Sequence, residues 1–369
     1  MTSTPRARRA PRHLRAIAAA TAITAAALAA ATGARAHGAQ PIPDGHAPAG
    51  VMVDHMHNAG EFMAGYRYSW SQQAGDTLNG TRAIDNDPAN PLLHKPCQDE
   101  NVVGHEHCMM KQSRMTMQMH MLDLMYAPTN WLTLMVMPQW MTMSMTMDAI
   151  PGADDHGMGH AGGSHGHGTD GFGDTIFGGL VKFADGPGYH MHAGLMFSAP
   201  TGSIEQRNDS GQLTHYMMQL GSGTWDFLPS VTYTGRADRL SWGLQVNGAV
   251  RMGGDNDSGY RLGNAAGVTA WGAYRLTDWL SASLRLAYMH QGVIHSAGHT
   301  SAGLSPPDLP GNYGGSFTDI GFGLNTVVPD GALKGHRLGI EWMQPVRDNV
   351  NGYQQERTGT LNVNWSKAF

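Results

Sequence analysis

Beyond residue 36 the chain has no apolar run near the roughly 18 residues that a membrane-spanning helix needs, and no long stretch of 3.6-residue periodicity. Cysteine is almost missing: Cys97 and Cys108 stand alone. In an exported protein two cysteines eleven positions apart read as a disulfide rather than a reactive pair. Basic residues are also scarce. The whole chain has 24 Lys and Arg against 29 Asp and Glu; the first 36 residues hold six arginines and no acid, which leaves 18 against 29. That balance excludes nucleic acid as a partner, and it excludes an anionic substrate drawn in by a basic lumen. No P-loop, dinucleotide fingerprint or helical zinc motif is present, so an enzyme is not expected.

What is there begins with an export signal. Arg6, Arg8, Arg9, Arg12 and Arg15 precede an Ala-rich apolar run, and Ala34-Arg35-Ala36 offers a cleavage site before His37. The reading is a signal peptide over 1–36, a periplasmic segment over 37–59 and a folded unit over 60–369. The 49 glycines follow no collagen-like period, which fits an all-β protein with many turns.

Alternation marks about twelve strands, near 60–71, 112–126, 131–147, 172–183, 189–200, 224–235, 240–251, 260–275, 279–291, 314–328, 335–345 and 358–369. The connections between them run long, short, long, short, the last long one falling near 346–357. Outer-membrane barrels sort their loops this way, with an even strand count. The expected fold is therefore all-β: a closed antiparallel transmembrane β-barrel of about twelve strands, with short periplasmic turns and long extracellular loops. The last residues agree. Leu361, Val363, Trp365 and Phe369 share one face, while Thr360, Asn362, Asn364 and Ser366 share the other. Trp131 and Trp279 each follow a short turn, as an aromatic girdle at a membrane interface requires.

Five stretches carry a family resemblance: "GFGDT" (171–175), "SAPTGS" (198–203), "QLGSGTWDFLPSVTYTG" (219–235), "LTDWLS" (276–281) and "LKGHRLGIEWMQPV" (333–346). With them the chain resembles the outer-membrane family named for transport in the meta-pathway of phenol degradation. Within it, "DHMH" (54–57) resembles the opening of a branch rich in Met and His. The resemblance implies an outer-membrane location and uptake of aromatic compounds, but it assigns no substrate site.

The segment from Met115 to Met147 holds eleven methionines in 33 residues, most at alternate positions. Arg285 is costly in hydrocarbon and should face the lumen, with Leu280, Ala282 and Leu284 outward. The matching register after Trp131 turns Leu132, Leu134 and Val136 outward, and Thr133, Met135 and Met137 inward. Asp123 gives the preceding strand an inward set that includes Met115, Met117, Met119, Met121 and Met125. That register sends His120 and Gln118 toward lipid. Either they sit above the apolar band, or a bulge near residue 121 turns the upper methionines to the lipid instead. On 189–200, His190, His192 and Met196 take the inner face.

Histidine clusters also stand out. "DDHGMGHAGGSHGHG" (154–168) is expected to be a flexible outer loop in which His156, His160, His165 and His167 could chelate a metal. His105 and His107 flank Cys108 in the first long loop. His55 and His57 lie before the first strand, as a second metal site or as plug contacts. His37 would carry a free amine beside its ring after cleavage. Imidazole and thioether together favour a soft ion. The leading expectation is thus a channel handling copper, collected by the loop histidines and passed along Met119, Met121, Met135, Met137, His190 and His192. Copper would be cargo, with no cofactor required. The alternatives are a channel for small hydrophobic or aromatic compounds, and a non-conducting metal-binding barrel. In each case the other partner is outer-membrane lipid. His290, His295 and Ser296 lack the arrangement of a phospholipase pair.

Overall fold

The computed structural model describes residues 42–369 apart from 86, 88–89, 94, 96, 98–107, 151–162, 209–210 and 297–304. The expected signal and His37 lie outside the described residues, as do His105, His107, His156 and His160.

Twelve strands form the wall. Strand 1 is Phe62–Gly80 and strand 2 Met110–Thr129; strand 3 comprises Leu132–Met137 and Gln139–Ala149, and strand 4 comprises Ser164–Phe172 and Thr175–Gly186. Strands 5 to 10 are Tyr189–Ala199, Trp225–Ala237, Leu240–Met252, Ala265–Arg275, Leu280–Gln291 and Gly315–Val327. Strands 11 and 12 are two halves of one continuous extended element, Arg337–Ala368. Its residues up to Val350 pair with strand 10, and the remainder pairs with strand 1. Strand 1 also pairs with strand 2, so the wall closes on itself, as hydrocarbon requires; among the described residues the outer stretch Ser164–Phe172 pairs on one side only.

The expected long loop at 346–357 is therefore a correction. Asn351-Gly352 makes a tight turn, with Gly352 at φ +56°, and both arms continue as strand. Asn-Gly is the strongest short hairpin signal because both turn positions tolerate positive φ. The loop expected at 154–168 is corrected in part as well. Ser164–Phe172 is strand, with His165 paired to Met147 and His167 to Met145. Both histidines are thereby held on the wall instead of on a tether.

The lumen-lipid register is settled by exposure. Met135 and Met137 are 4% and 0% exposed, whereas Leu134 and Val136 between and beyond them are 46% and 37% exposed. Leu284 is 55% exposed and Arg285 is buried. Strands 1 and 2 pair from Phe62–Tyr126 to Ala74–Arg114 without a shift, so there is no bulge at residue 121 and the methionines stay inward. His120 and Gln118 do face outward. Tyrosines of strand 1 meet them: Tyr66 Oη lies 2.5 Å from His120 Nδ1, and Tyr68 Oη donates to Gln118 Oε1 at 3.1 Å. A polar side chain on the outer wall is costly unless hydrogen-bonded, and these two are. Trp131 and Trp279 point outward near the short turns, as a girdle should.

Candidate functional site: a plugged lumen

Residues 42–59 are not outside the barrel as expected. They enter the lumen, reach mid-height near Gly50 and return to strand 1. The segment has almost no regular structure of its own, so its backbone groups need partners from the wall. Gln245 donates to Met52 O (2.9 Å), Asn325 to His46 O (3.3 Å) and Ala47 O (3.2 Å), and Arg67 to Ala49 O (3.2 Å) and Val51 O (2.9 Å). A nitrogen of His192 meets Val53 O at 2.8 Å. In the other direction Gly50 N donates to Glu341 Oε2 (2.8 Å), and His57 N to Thr133 Oγ1 (3.1 Å). Six wall strands thus hold one short peptide.

Charge pairs complete the docking. Arg275 meets Asp44 at 2.8 Å, Arg67 bridges Asp123 and Asp54, and Arg285 meets Glu341 at 2.9 Å beside Gly50. Burial opposes ionisation of Asp54, but His55, His46 and Arg67 outweigh it and hold the carboxyl well below the usual range. Glu61, at the exit of the plug, is held at about 2, first by its hydrogen bond with His57.

The methionines form two clusters inside. Met63, Met121, Met125, Met135, Met137 and Met196 pack with Leu180, and Met52, Val53, Met56 and Met119 sit against them. The plug therefore completes an apolar core inside the barrel. A second cluster higher up, with Met115, Met143, Met145 and Met147, packs against Met218 and Leu220 of the connection between strands 5 and 6. Met is unbranched and adaptable, which suits an irregular peptide lodged in a rigid wall. Between plug and wall there remains a cavity of ≈ 480 Å³, bordered by Met52, Val53, Met196, Leu228, Ala287 and Met343 among others. Polar groups reach it as well, among them Ser230, Gln245, Asn247, Thr269, Arg285 and Asp319.

Three of the motif stretches meet at one carboxylate. Strand 3 is interrupted at Pro138, which has no N–H to give, and strand 4 at Gly173-Asp174 beside it. Gly173 N bonds across the break to Gln139 O at 3.0 Å. Asp174 then accepts from Gly202 N (2.9 Å), Ser222 N (2.8 Å) and Ser222 Oγ (2.9 Å), tying the long connection 200–224 onto the interrupted wall. A Cβ at Gly202 would stand 2.5 Å from Leu220 O, so only glycine permits the approach.

The candidate residues separate into groups. Met119, Met121, Met135 and Met137 face inward as the register requires. His55, His57, His190 and His192 come together at the periplasmic mouth, where the plug meets strand 5. His165 and His167 are far from them in the sequence of the wall, at the outer end near His215. His46, Asp54, Arg67 and Glu341 were not singled out from sequence. Arg67 was findable, since "YRYSW" places one cation among outward-facing aromatics, as at Arg285. Cys97 and Cys108 form the expected disulfide, within a small apolar cap that includes Leu309 and Tyr353.

Residues 124–332 match the model of the family described as "Putative MetA-pathway of phenol degradation". The fold is similar to the crystal structure of an outer membrane channel from Pseudomonas putida F1, at 15% identity and a TM-score of 0.53, covering 85% of this chain and 97% of that one. Weaker likenesses include a Pseudomonas aeruginosa FadL homologue (9% identity, TM-score 0.40, covering 84% and 90%). Another is the P. putida toluene transporter TodX (11% identity, TM-score 0.38, covering 85% and 91%). No curated protein sequence matches.

Proposed function

Because the chain belongs to the "Putative MetA-pathway of phenol degradation" family and is an outer-membrane β-barrel, we propose that it is a channel for small apolar, monoaromatic solutes. The observation that carries this reading is the ≈ 480 Å³ cavity between plug and wall. Its size, and a lining in which thioether and aliphatic side chains outnumber the polar ones, match a site for a small hydrophobic molecule. The family description, naming phenol degradation, favours the same class. Copper passage has no comparable support, because the inward methionines pack on one another and on the plug as a core. For a solute to cross, the plug must shift, releasing its dispersed hydrogen bonds and its ion pairs at Asp44 and Asp54.

Uptake into proteoliposomes tests the proposal. Toluene or phenol should enter faster than through empty liposomes, and glucose should not. Ala287→Trp fills the cavity from strand 9 without touching the plug anchors, and should cut aromatic entry at least several-fold while the barrel still shows its heat-modifiable gel shift. Equal entry of toluene through the variant, or entry of glucose at the same rate, would overturn the reading.

A further inference from the structure

Four imidazoles and three carboxylates converge where the plug leaves the lumen. One ring nitrogen each of His46 and His55 and one oxygen of Asp54 lie within 4.8 Å of one another, all three in the plug segment. His190, on strand 5, lines the same ≈ 320 Å³ cavity with Met56 and Asp185. His57 stands next to His55, with ring centroids 5.1 Å apart.

The carboxylates sit in a common pattern, a hydrogen bond at His55 and ion-pair contacts at His57 and His190. His55 Nδ1 lies 2.9 Å from Asp54 Oδ1, His57 Nδ1 lies 3.5 Å from Glu61, and His190 Nδ1 lies 3.7 Å from Asp185. In each ring the carboxylate is on the Nδ1 side. The three Nε2 atoms are buried and have no hydrogen-bond partner among the described residues. At His57 and His190 a carboxylate on the Nδ1 side favours the tautomer that leaves the far nitrogen as a lone-pair donor, as in metal sites, whereas Asp54 belongs to the donor group itself. Unpartnered buried nitrogens are costly in a resting structure, so three at one mouth need an explanation.

We propose that this mouth binds a divalent transition-metal ion of the imidazole-seeking class, with His46, Asp54 and His55 as the plug's donors and His190 as the donor from the wall. Imidazole with one carboxylate and no thiolate suits zinc, copper(II) or nickel. Such ions hold their ligands at roughly 2.0–2.2 Å, which small side-chain adjustments within a 4.8 Å group achieve. Three donors on a peptide without regular structure and one on a barrel strand mean that the ion would staple plug to wall. The site is distinct from the ≈ 480 Å³ cavity, and it does not depend on what the channel passes.

The full chain, purified without a histidine tag and refolded in detergent, is titrated with copper(II) and with zinc. Trp242 and Trp271 line the same cavity, so copper(II) bound there should quench their fluorescence, and the copper spectrum should show coupling to several nitrogens. His46→Gln with His55→Gln should weaken binding at least tenfold, and His190→Gln should weaken it several-fold. Replacing His156, His160, His165 and His167 together by Asn should leave it unchanged. As a second readout, zinc should raise amide protection over 44–57 in the native chain but not in His190→Gln, which alters the wall and leaves the plug sequence intact. Unchanged affinity in both mouth variants, or loss of binding in the outer-loop variant alone, would overturn the proposal.

Discussion

Arg67 and Asp123 face each other across strands 1 and 2 inside the barrel, Nε to Oδ2 at 3.1 Å, with both side chains buried. The same guanidinium donates to the carbonyls of Ala49 and Val51, so one residue joins the wall pair to the plug. Arg67→Leu should destabilise the folded state by about 3–5 kcal/mol, because it strands a buried carboxylate. Arg67→Leu with Asp123→Leu should recover much of that loss. Urea unfolding in detergent micelles measures both, and a double variant no more stable than the single one would refute the pairing argument.

Replacing Met135 and Met137 together by Leu conserves volume and removes two thioethers from the inner core. Such swaps cost under about 1.5 kcal/mol each. Assembly and aromatic uptake are expected to stay near native levels. A severalfold drop in toluene entry with normal protein in the membrane would show that the sulfur atoms themselves matter.

Acidification should loosen the plug. His46 and His57 are pushed toward the neutral form in the docked state, chiefly by burial and then by the adjacent His55, with Arg337 also acting on His46, against the pull of Asp54 and Glu61. Once released, both rings titrate near the ordinary 6.5, so the released state binds more protons and docking weakens as pH falls below that value. Glu61 acts in the same direction lower down. Its contribution is complete above about 4.5 and disappears as pH falls toward about 2. Amide exchange over 44–57 should therefore be faster at pH 5 than at pH 7.5, and a higher protection at pH 5 would contradict the assignment.

Cys97→Ser with Cys108→Ser opens a cross-link of eleven-residue separation at the outer cap. Loops of that size contribute roughly 2–3 kcal/mol through the unfolded ensemble. The loss should be local, since the cap is a satellite of the wall: external protease should cut between strands 1 and 2 sooner, with the gel shift of the barrel intact. Failure of the variant to reach the membrane would show that the cap is needed for assembly.

The wall was readable from sequence because a barrel strand has one side in lipid and one side in the lumen, which writes a period of two. Arg285 and Asp123 then fixed the inward side, and carrying that parity through the Trp131 turn placed Met135 and Met137 correctly. Pro138 and Gly173-Asp174 were visible as residues, but the interruption they make is a property of two neighbouring strands together. The hairpin at Asn351-Gly352 was signalled locally and lost to the expectation of a long loop. The plug had no period to read, because an irregular peptide is held through its own carbonyls by Gln245, Asn325 and Arg67, and backbone groups are the same in every sequence. The histidine mouth was hidden for a related reason. "DHMH" and the pair His190 and His192 announce donors, but His55 and His190 are brought to one cavity only when the peptide folds back into the lumen. The alternation of the chain determined the barrel; only the tertiary structure decided what fills it.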